Sequence, residues 1–252
     1  MPICGVWWWH DSLISDDRYL NFAAENGVNE IYLSTGRLGG AEGAFIEKAR
    51  ARGISVFWLQ GDYTYIEDPG EIWGILRDFK DYQASAPENR RFAGVHLDIE
   101  PQQHPEYGER RREILEDYLA LIMELSADLS AECPMDIDIS SWFDDRVSYR
   151  GKEVPLYEAL IAEADRVFVM SYRDTAEEMF ALARDEIASA EALGKPIMLG
   201  AELYSEEGDH VSYGEEGRAY MYEQLNLLRT YIDYPAIGIA IHHIKTWFDL
   251  ED

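Results

Sequence analysis

The sequence contains only two cysteines, Cys4 and Cys133, and they are not placed at a spacing typical of metal ligands. We expect two buried thiols in a reducing compartment rather than a disulfide framework. No apolar run reaches the ~18 residues needed to cross a bilayer. The first residues also lack the basic segment and the cleavage site of a signal peptide. These absences predict a cytoplasmic protein that does not enter membranes.

Basic residues are scarce as well. The chain has 22 Lys and Arg against 49 Asp and Glu, and its formal net charge is −27. Such a chain repels the phosphates of nucleic acids and of anionic membrane surfaces. The charge therefore excludes nucleic acids and anionic membranes as partners.

No Gly-x-Gly-x-x-Gly motif follows the first predicted strand, which disfavours a doubly wound sheet. Instead, a short β-branched or aromatic run, a turn and a helix-periodic stretch recur about every thirty residues. The runs predicted as strands are Ile3–Trp8, Glu30–Leu33, Ile54–Leu59, Phe92–Ile99, Met135–Ile139, Arg166–Ser171, Pro196–Gly200 and Ile237–Ile241. Eight strands alternating with helices predict one domain, residues 1–252, folded as a single (β/α)8 TIM barrel.

Turns and helix faces support this arrangement. Gly27, Gly53 and Gly194 stand where helices are expected to end, each shortly before a strand. The longest loops after strands are expected at Pro101–Gly108 and Ser141–Pro155, where they wall a site. Two helical faces are predicted, at Ile114, Tyr118, Ile122 and Leu125, and at Met221, Leu225, Leu228 and Ile232.

The fourth predicted strand carries three ionisable residues on one face. Side chains alternate along a strand, so His96, Asp98 and Glu100 lie opposite the apolar residues between them and point into the barrel. Burying such groups is costly unless they are paired or functional. Pro101 ends the strand and places Glu100 at the rim, with Asp98 one layer below, which suits a general acid.

This stretch resembles the catalytic strand of the family-eighteen glycoside hydrolases, the chitinase-like barrels, which reads Asp-Gly-x-Asp-x-Asp-x-Glu. The segment from Ala93 to Glu100 matches the Gly, the last Asp and the Glu, with Ala93 and His96 at the first two Asp positions. In that family the Glu protonates the glycosidic oxygen, and the substrate's own acetamide attacks the anomeric carbon. The resemblance implies that Glu100 is the acid/base and that Asp98 orients the acetamide.

Two other strand ends are similar to patterns of the same family. Met170-Ser171-Tyr172 resembles its Met-x-Tyr, which implies that Tyr172 hydrogen-bonds the acetamide oxygen. The segment Gly200–Tyr204, which contains Glu202, resembles its Gly-x-Pro-x-Tyr. After the eighth strand, where the family has the Trp that floors the sugar subsite, the chain has His242-His243.

Several further residues are candidates for binding a substrate. Asp136 and Asp138 share an inward face of the fifth strand. Either Asp138 serves function, by tuning the protonation of Asp98 or by binding sugar hydroxyls, or the two aspartates form a polar layer of the barrel. Aromatic side chains near strand ends suit sugar rings or simply fill the core. The predicted substrate-binding residues are His96, Asp138, Trp142, Glu202, His242, Trp7 and Trp58.

The histidines also suggest a metal site. The first strand has no His-x-His, however, and strand alternation allows at most one of His242 and His243 to face the site. We therefore predict no metal and no cofactor. The leading prediction is a glycoside hydrolase acting on N-acetylhexosamine-containing glycans. A non-catalytic barrel that binds a glycan or protein, and a metal-dependent hydrolase, remain as alternatives.

Overall fold

A computed structural model describes residues 3–129, 133–205, 208 and 210–251. Its strands are β1 (Ile3–Trp8), β2 (Glu30–Ser34), β3 (Ser55–Gln60), β4 (Val95–Leu97), β5 (Met135–Ser140), β6 (Arg146–Tyr149), β7 (Lys152–Pro155), β8 (Arg166–Met170), β9 (Ile197–Glu202) and β10 (Ile237–His242). Eight of them close a parallel barrel in the order β1-β2-β3-β4-β5-β8-β9-β10. The predicted (β/α)8 barrel is confirmed.

The helices lie outside the barrel and connect successive strands. They are α1 (Asp17–Glu25), α2 (Gly40–Arg50), α3 (Thr64–Glu67), α4 (Pro69–Ser85), α5 (Tyr107–Asp128), α6 (Leu156–Glu163), α7 (Ala176–Leu193), α8 (Arg218–Leu228) and α9 (Ile244–Asp249). α7 shows how the sequence sets their bounds. The Thr175 hydroxyl accepts from the Glu178 N–H at its start, and Gly194 ends it with φ +66°.

Two apolar cores follow from the alternation along the strands. The outer core lies between strands and helices and contains Trp8 together with Ile114, Tyr118, Ile122 and Leu125 of α5, as predicted. The inner core fills the barrel and contains Trp7, Tyr32, Phe57, Leu59, Phe168, Met198 and Ala240. Of the second predicted face, Met221, Leu225 and Leu228 are buried, whereas Ile232 follows the end of α8 and is half-buried.

The N-terminal end of the barrel is closed by a partly buried ion-pair network. Arg166 Nη1 lies 2.8 Å from Glu30 Oε2, and its Nη2 donates to Asp136. The guanidinium also lies over the rings of Phe57 and Phe168. Asp136 therefore has a structural partner far from the opposite end of the barrel, where strand side chains meet the long loops.

Two expectations about the chain outside the barrel need correction. The predicted loop Ser141–Pro155 contains the antiparallel hairpin β6–β7, in which Val147 is buried. Arg150 and Gly151 both have positive φ, the backbone geometry of a tight hairpin turn. Cys4 and Cys133 are free thiols, but each is half-buried rather than fully buried. Across the described ranges, no helix is long and apolar enough to cross a membrane.

Candidate active site

A cavity of about 580 Å³ opens at the C-terminal ends of the barrel strands. Seven of the ten predicted site residues line it, namely Trp7, Asp98, Glu100, Asp138, Tyr172, Glu202 and His242. The other lining residues are Trp9, His10, Gln103, Met170 and His243. The strand ends therefore bring most of the predicted site into one place.

Asp138 lies at the floor of this cavity. Its Oδ2 accepts from Trp7 Nε1 at 3.2 Å and lies 2.8 Å from His96 Nε2. Burial raises the pKa of Asp138 well above its usual range, although the Trp7 N–H opposes the shift. Asp138 is thus a buried carboxyl group held from β1 and β4 at once.

His96 is completely buried beneath the cavity and does not line it. Burial lowers the pKa of His96 to about 3, so the imidazole is neutral at neutral pH. With Nε2 donating to Asp138, the ring presents Nδ1 as a bare acceptor. This corrects the expectation that His96 binds substrate, since it lies behind two cavity residues, hydrogen-bonded to Asp138 and edge-on to the Trp7 ring.

Asp98 continues the direction of β4, and its backbone N–H donates to the Gln60 carbonyl oxygen at 2.8 Å. Burial, and next the negative charges of Asp138 and Glu100, raise the pKa of Asp98 well above its usual range. A Cβ on Gly61 would lie 1.9 Å from the Asp98 carbonyl oxygen. The backbone that carries Asp98 therefore requires glycine beside it.

Glu100 lies at the rim, as predicted, and belongs to the start of the Pro101–Gln103 turn of 3₁₀ helix. Its two carboxylate oxygens accept from the side-chain amides of Gln102 and Gln103. These two glutamines were not predicted as site residues, although they lie in the loop expected to wall the site. To act as an acid, Glu100 must take up a proton and release at least one of these amides.

Tyr172 follows β8 and projects into the cavity across β9. A Cβ on Gly200 would lie 2.9 Å from the Tyr172 ring, so the absence of a side chain there makes room for the phenol. Burial raises the pKa of Tyr172 well above its usual range, which keeps the hydroxyl protonated and able to donate.

Glu202 is buried at the end of β9 and pairs with the half-buried His242 at the end of β10. His242 Nδ1 lies 2.6 Å from Glu202 Oε2, and His242 Nε2 accepts from Trp9 Nε1 at 2.6 Å. The other Glu202 oxygen accepts from the backbone N–H groups of Leu203 and Tyr204, each at 2.7 Å. A ring fixed on both sides therefore stands where the resemblance expects a tryptophan.

His243 also lines the cavity, contrary to the expectation that only one of the two histidines faces it. β10 ends at His242, so the alternation of a strand no longer applies at His243. The rings of His10 and His243 lie 5.6 Å apart. Within residues 3–129, 133–205, 208 and 210–251, no group of three or more His, Cys, Asp or Glu is arranged to hold a metal ion.

Two predicted aromatic residues lie outside the cavity. Trp58 is buried on the helix side of β3, where its ring stacks on Phe79 at 4.8 Å and its Nε1 donates to the Thr35 carbonyl. This corrects the expectation for Trp58, because its neighbours Phe57 and Leu59 are the residues that point inward. Trp142 is 51% exposed and does not line the cavity.

Neither a protein-family model nor a curated protein matches the chain. Solved structures do match it. A chitinase from Bacteroides thetaiotaomicron superposes with a TM-score of 0.62 at 12% identity, over 98% of this chain and 90% of that one. A plant class V chitinase mutant from Cycas revoluta, in complex with (GlcNAc)3, gives 0.59 at 14% identity, over 98% and 96%.

The spore cortex-lytic enzyme SleL of Bacillus cereus gives a TM-score of 0.51 at 13% identity, over 81% of this chain and 51% of that one. This chain thus spans about half the length of SleL. The similarities show that the fold is that of the chitinase-like (β/α)8 barrels.

Proposed function

We propose that the chain is a glycoside hydrolase that cleaves N-acetylhexosamine-containing glycans by substrate-assisted, retaining catalysis. The observation that carries the proposal is that Asp98, Glu100 and Tyr172 line one cavity at the C-terminal ends of the strands. Active sites of (β/α)8 enzymes lie at this end of the barrel. The Cycas chitinase structures, which contain (GlcNAc)3 and (GlcNAc)4, support a carbohydrate ligand.

In this mechanism Glu100 gives its proton to the glycosidic oxygen as the bond to the anomeric carbon breaks. The acetamide of the sugar that contains this carbon attacks it through the acetamide oxygen. Asp98 orients the N–H of the acetamide, and the acetamide oxygen accepts a hydrogen bond from the Tyr172 hydroxyl. Glu100, now a carboxylate, takes a proton from the incoming water, whose oxygen replaces the acetamide oxygen. Two displacements at the same carbon retain its configuration.

The decisive experiment compares the wild type with Glu100→Gln on a methylumbelliferyl N-acetylchitooligosaccharide. The substitution is nearly isosteric at the rim, so the fold should persist while turnover falls ~10²–10⁴-fold, as for other positioned general acids. Glu109→Gln makes the same change at an exposed glutamate of α5 outside the cavity, so it is the matched variant and should retain wild-type turnover. Equal rates for wild type and Glu100→Gln would exclude Glu100 as the acid.

A second candidate function is a non-catalytic barrel that binds glycans. It is favoured by Ala93 and His96 at two motif positions and by His242 in place of the floor tryptophan. A wild type that binds chitooligosaccharides in calorimetry, and yet hydrolyses no member of a broad glycan panel, would favour this function. Loss of activity in EDTA, with stoichiometric Zn²⁺ or Mn²⁺ in the purified protein, would instead favour a metal-dependent hydrolase.

A further inference from the structure

Asp98 and Asp138 meet at the floor of the cavity although they belong to different strands. Each has an Oδ1 atom that is buried and has no other hydrogen-bond partner among the described residues. β4 and β5 pair with Leu97 opposite Ile137, so Asp98 and Asp138 follow as neighbours on the same face of adjacent chain segments. Two ionised carboxylates in this position would repel each other, whereas a carboxyl group and a carboxylate share one proton and satisfy both oxygens.

The contacts around the pair indicate where the proton lies. Asp138 Oδ2 already accepts from Trp7 Nε1 and from His96 Nε2, so its carboxylate form is stabilised by two buried donors. No such donor contacts Asp98 Oδ1 among the described residues. The proton therefore belongs on Asp98, and it is donated to Asp138.

We propose that Asp138 is the proton-sharing partner of Asp98, and that Trp7 and His96 act through Asp138 as positioning residues for Asp98. The buried carboxylate beside Asp98 thus comes from β5. Ala93 and His96, at the first two Asp positions of the motif around β4, carry no carboxylate. The proton-sharing pair stands on the geometry alone, whereas its role in turnover rests on the proposed function.

The arrangement has a consequence for substrate binding. Asp98 Oδ1 is buried and has no donor in the part of the chain that the structure describes, so in the proposed pair it is the oxygen that carries the shared proton, and Oδ2 remains for the ligand. An acetamide N–H entering the cavity would then meet an acceptor that is already oriented. Holding the group in advance lowers the entropy lost when substrate binds.

Other titratable groups surround the pair and share its electrostatic field. Most of them lie on the barrel strands or just after them, and one lies on α5. They are His96 and Glu100 (β4 and the turn after it), Asp136 (β5), Arg166 and Tyr172 (β8 and the loop after it), Glu202 (β9), His242 (β10) and Tyr118 (α5). Any titration of the pair must therefore be compared between variants rather than assigned from one curve.

The test measures the proton directly. Infrared spectra of the full chain should show, near neutral pH, the carbonyl band of a protonated carboxyl group. Asp98→Asn and Asp138→Asn should each remove this same band, because either change dissolves the pair. Asp136→Asn is the matched control, since it changes the other buried aspartate of β5, and it should leave the band in place. Trp7→Phe removes only one donor to Asp138 and should move the lower-pH titration step of the pair upward.

The outcomes separate the two proposals. A carboxyl band that persists in Asp138→Asn would overturn the pairing. If Asp138→Asn fails to fold, Trp7→Phe decides: a lower-pH titration step of the pair that does not move would overturn the pairing. If the band behaves as expected but the wild type hydrolyses no glycan, the pair stands and the proposed function fails. If the wild type is active, Asp138→Asn should lower kcat on N-acetylated substrates and move the acid limb of its pH profile. An unchanged kcat and profile would overturn the positioning role.

Discussion

His242 and Glu202 are joined at the mouth of the barrel, with Nδ1 and Oε2 2.6 Å apart. Glu202 is buried, and its second oxygen is held by two backbone N–H groups. The imidazole is tilted by 33° relative to the Tyr172 ring, with the two centroids 6.0 Å apart. This wall of the cavity is therefore a polar ring fixed by a carboxylate, which gives the site a pH dependence that an indole would not have.

Glu202→Gln should destabilise the protein more at acidic than at alkaline pH. Burial lowers the pKa of His242, but the hydrogen bond to Glu202 and the nearby carboxylates outweigh it, so the pKa is raised. A raised pKa contributes stability that is complete below the unfolded value, ~6.5, and is lost as the pH rises through the folded value. The loss in Glu202→Gln should be about 1–3 kcal/mol near the acidic end.

Urea unfolding at about pH 5.5 and about pH 9 measures this difference, since the two values bracket the histidine titration. The matched control is Glu215→Gln, because Glu215 is an exposed carboxylate beyond the same strand. A destabilisation by Glu202→Gln that is equal at the two pH values would show that the pair does not control the protonation of His242.

Trp9→Phe should raise the pKa of His242 further. His242 Nε2 accepts from Trp9 Nε1 at 2.6 Å, and an imidazolium has no lone pair left to accept that bond. The indole therefore favours the neutral ring, and phenylalanine removes this preference. NMR titration of the ring C–H signals follows each histidine separately. Trp142→Phe changes an exposed indole outside the cavity and should leave the pKa of His242 unchanged. A lower pKa of His242 in Trp9→Phe would contradict the hydrogen bond from Trp9 Nε1 to His242 Nε2.

The parts of the site that follow from local alternation could be predicted from the sequence. Asp98 and Glu100 line the cavity on the side that alternation predicts, although β4 ends at Leu97 and not at Pro101. The prediction for Trp58 was wrong because a position near a strand end does not determine which face a side chain occupies. Trp58 alternates with Phe57 and Leu59, which point inward, so its ring packs against the helices.

Contacts between distant strands could not be predicted in this way. His96 and Asp138 are 42 residues apart, and their hydrogen bond depends on the register of β4 against β5. Likewise, His243 faces the cavity only because β10 ends one residue earlier. Alternation indicates which face a residue occupies, but the partner it meets is set by how the barrel closes.

Gly61→Ala should impair both stability and turnover. The new methyl group would overlap the Asp98 carbonyl group, and backbone atoms on both sides leave no flexible side chain to move aside. Overpacking of this kind costs about 1–3 kcal/mol, and any relief displaces Asp98 from the cavity floor. Gly108→Ala is the matched control, because a Cβ there meets nothing within 4 Å. Thermal unfolding and hydrolysis rates equal to those of Gly108→Ala would show that the contact relaxes freely.

Asp98→Asn should impair hydrolysis selectively, by an amount that depends on the substrate. In the proposed mechanism Asp98 acts on the acetamide and not on the leaving group, which Glu100 protonates. The loss in kcat should therefore be larger for N-acetylglucosaminides than for aryl glucosides with a good leaving group and no acetamide. Glu100→Gln should show the opposite dependence, because a good leaving group needs less help from an acid.

Measuring kcat of both variants on both substrates assigns a role to each carboxyl group, because Asp98 is expected to act on the acetamide and Glu100 on the leaving group. Equal losses for Asp98→Asn on the two substrates would mean that Asp98 contributes charge or packing alone. If the wild type hydrolyses the substrate without an acetamide as fast as the N-acetylated substrate, substrate assistance is excluded, because the nucleophile must then come from the protein.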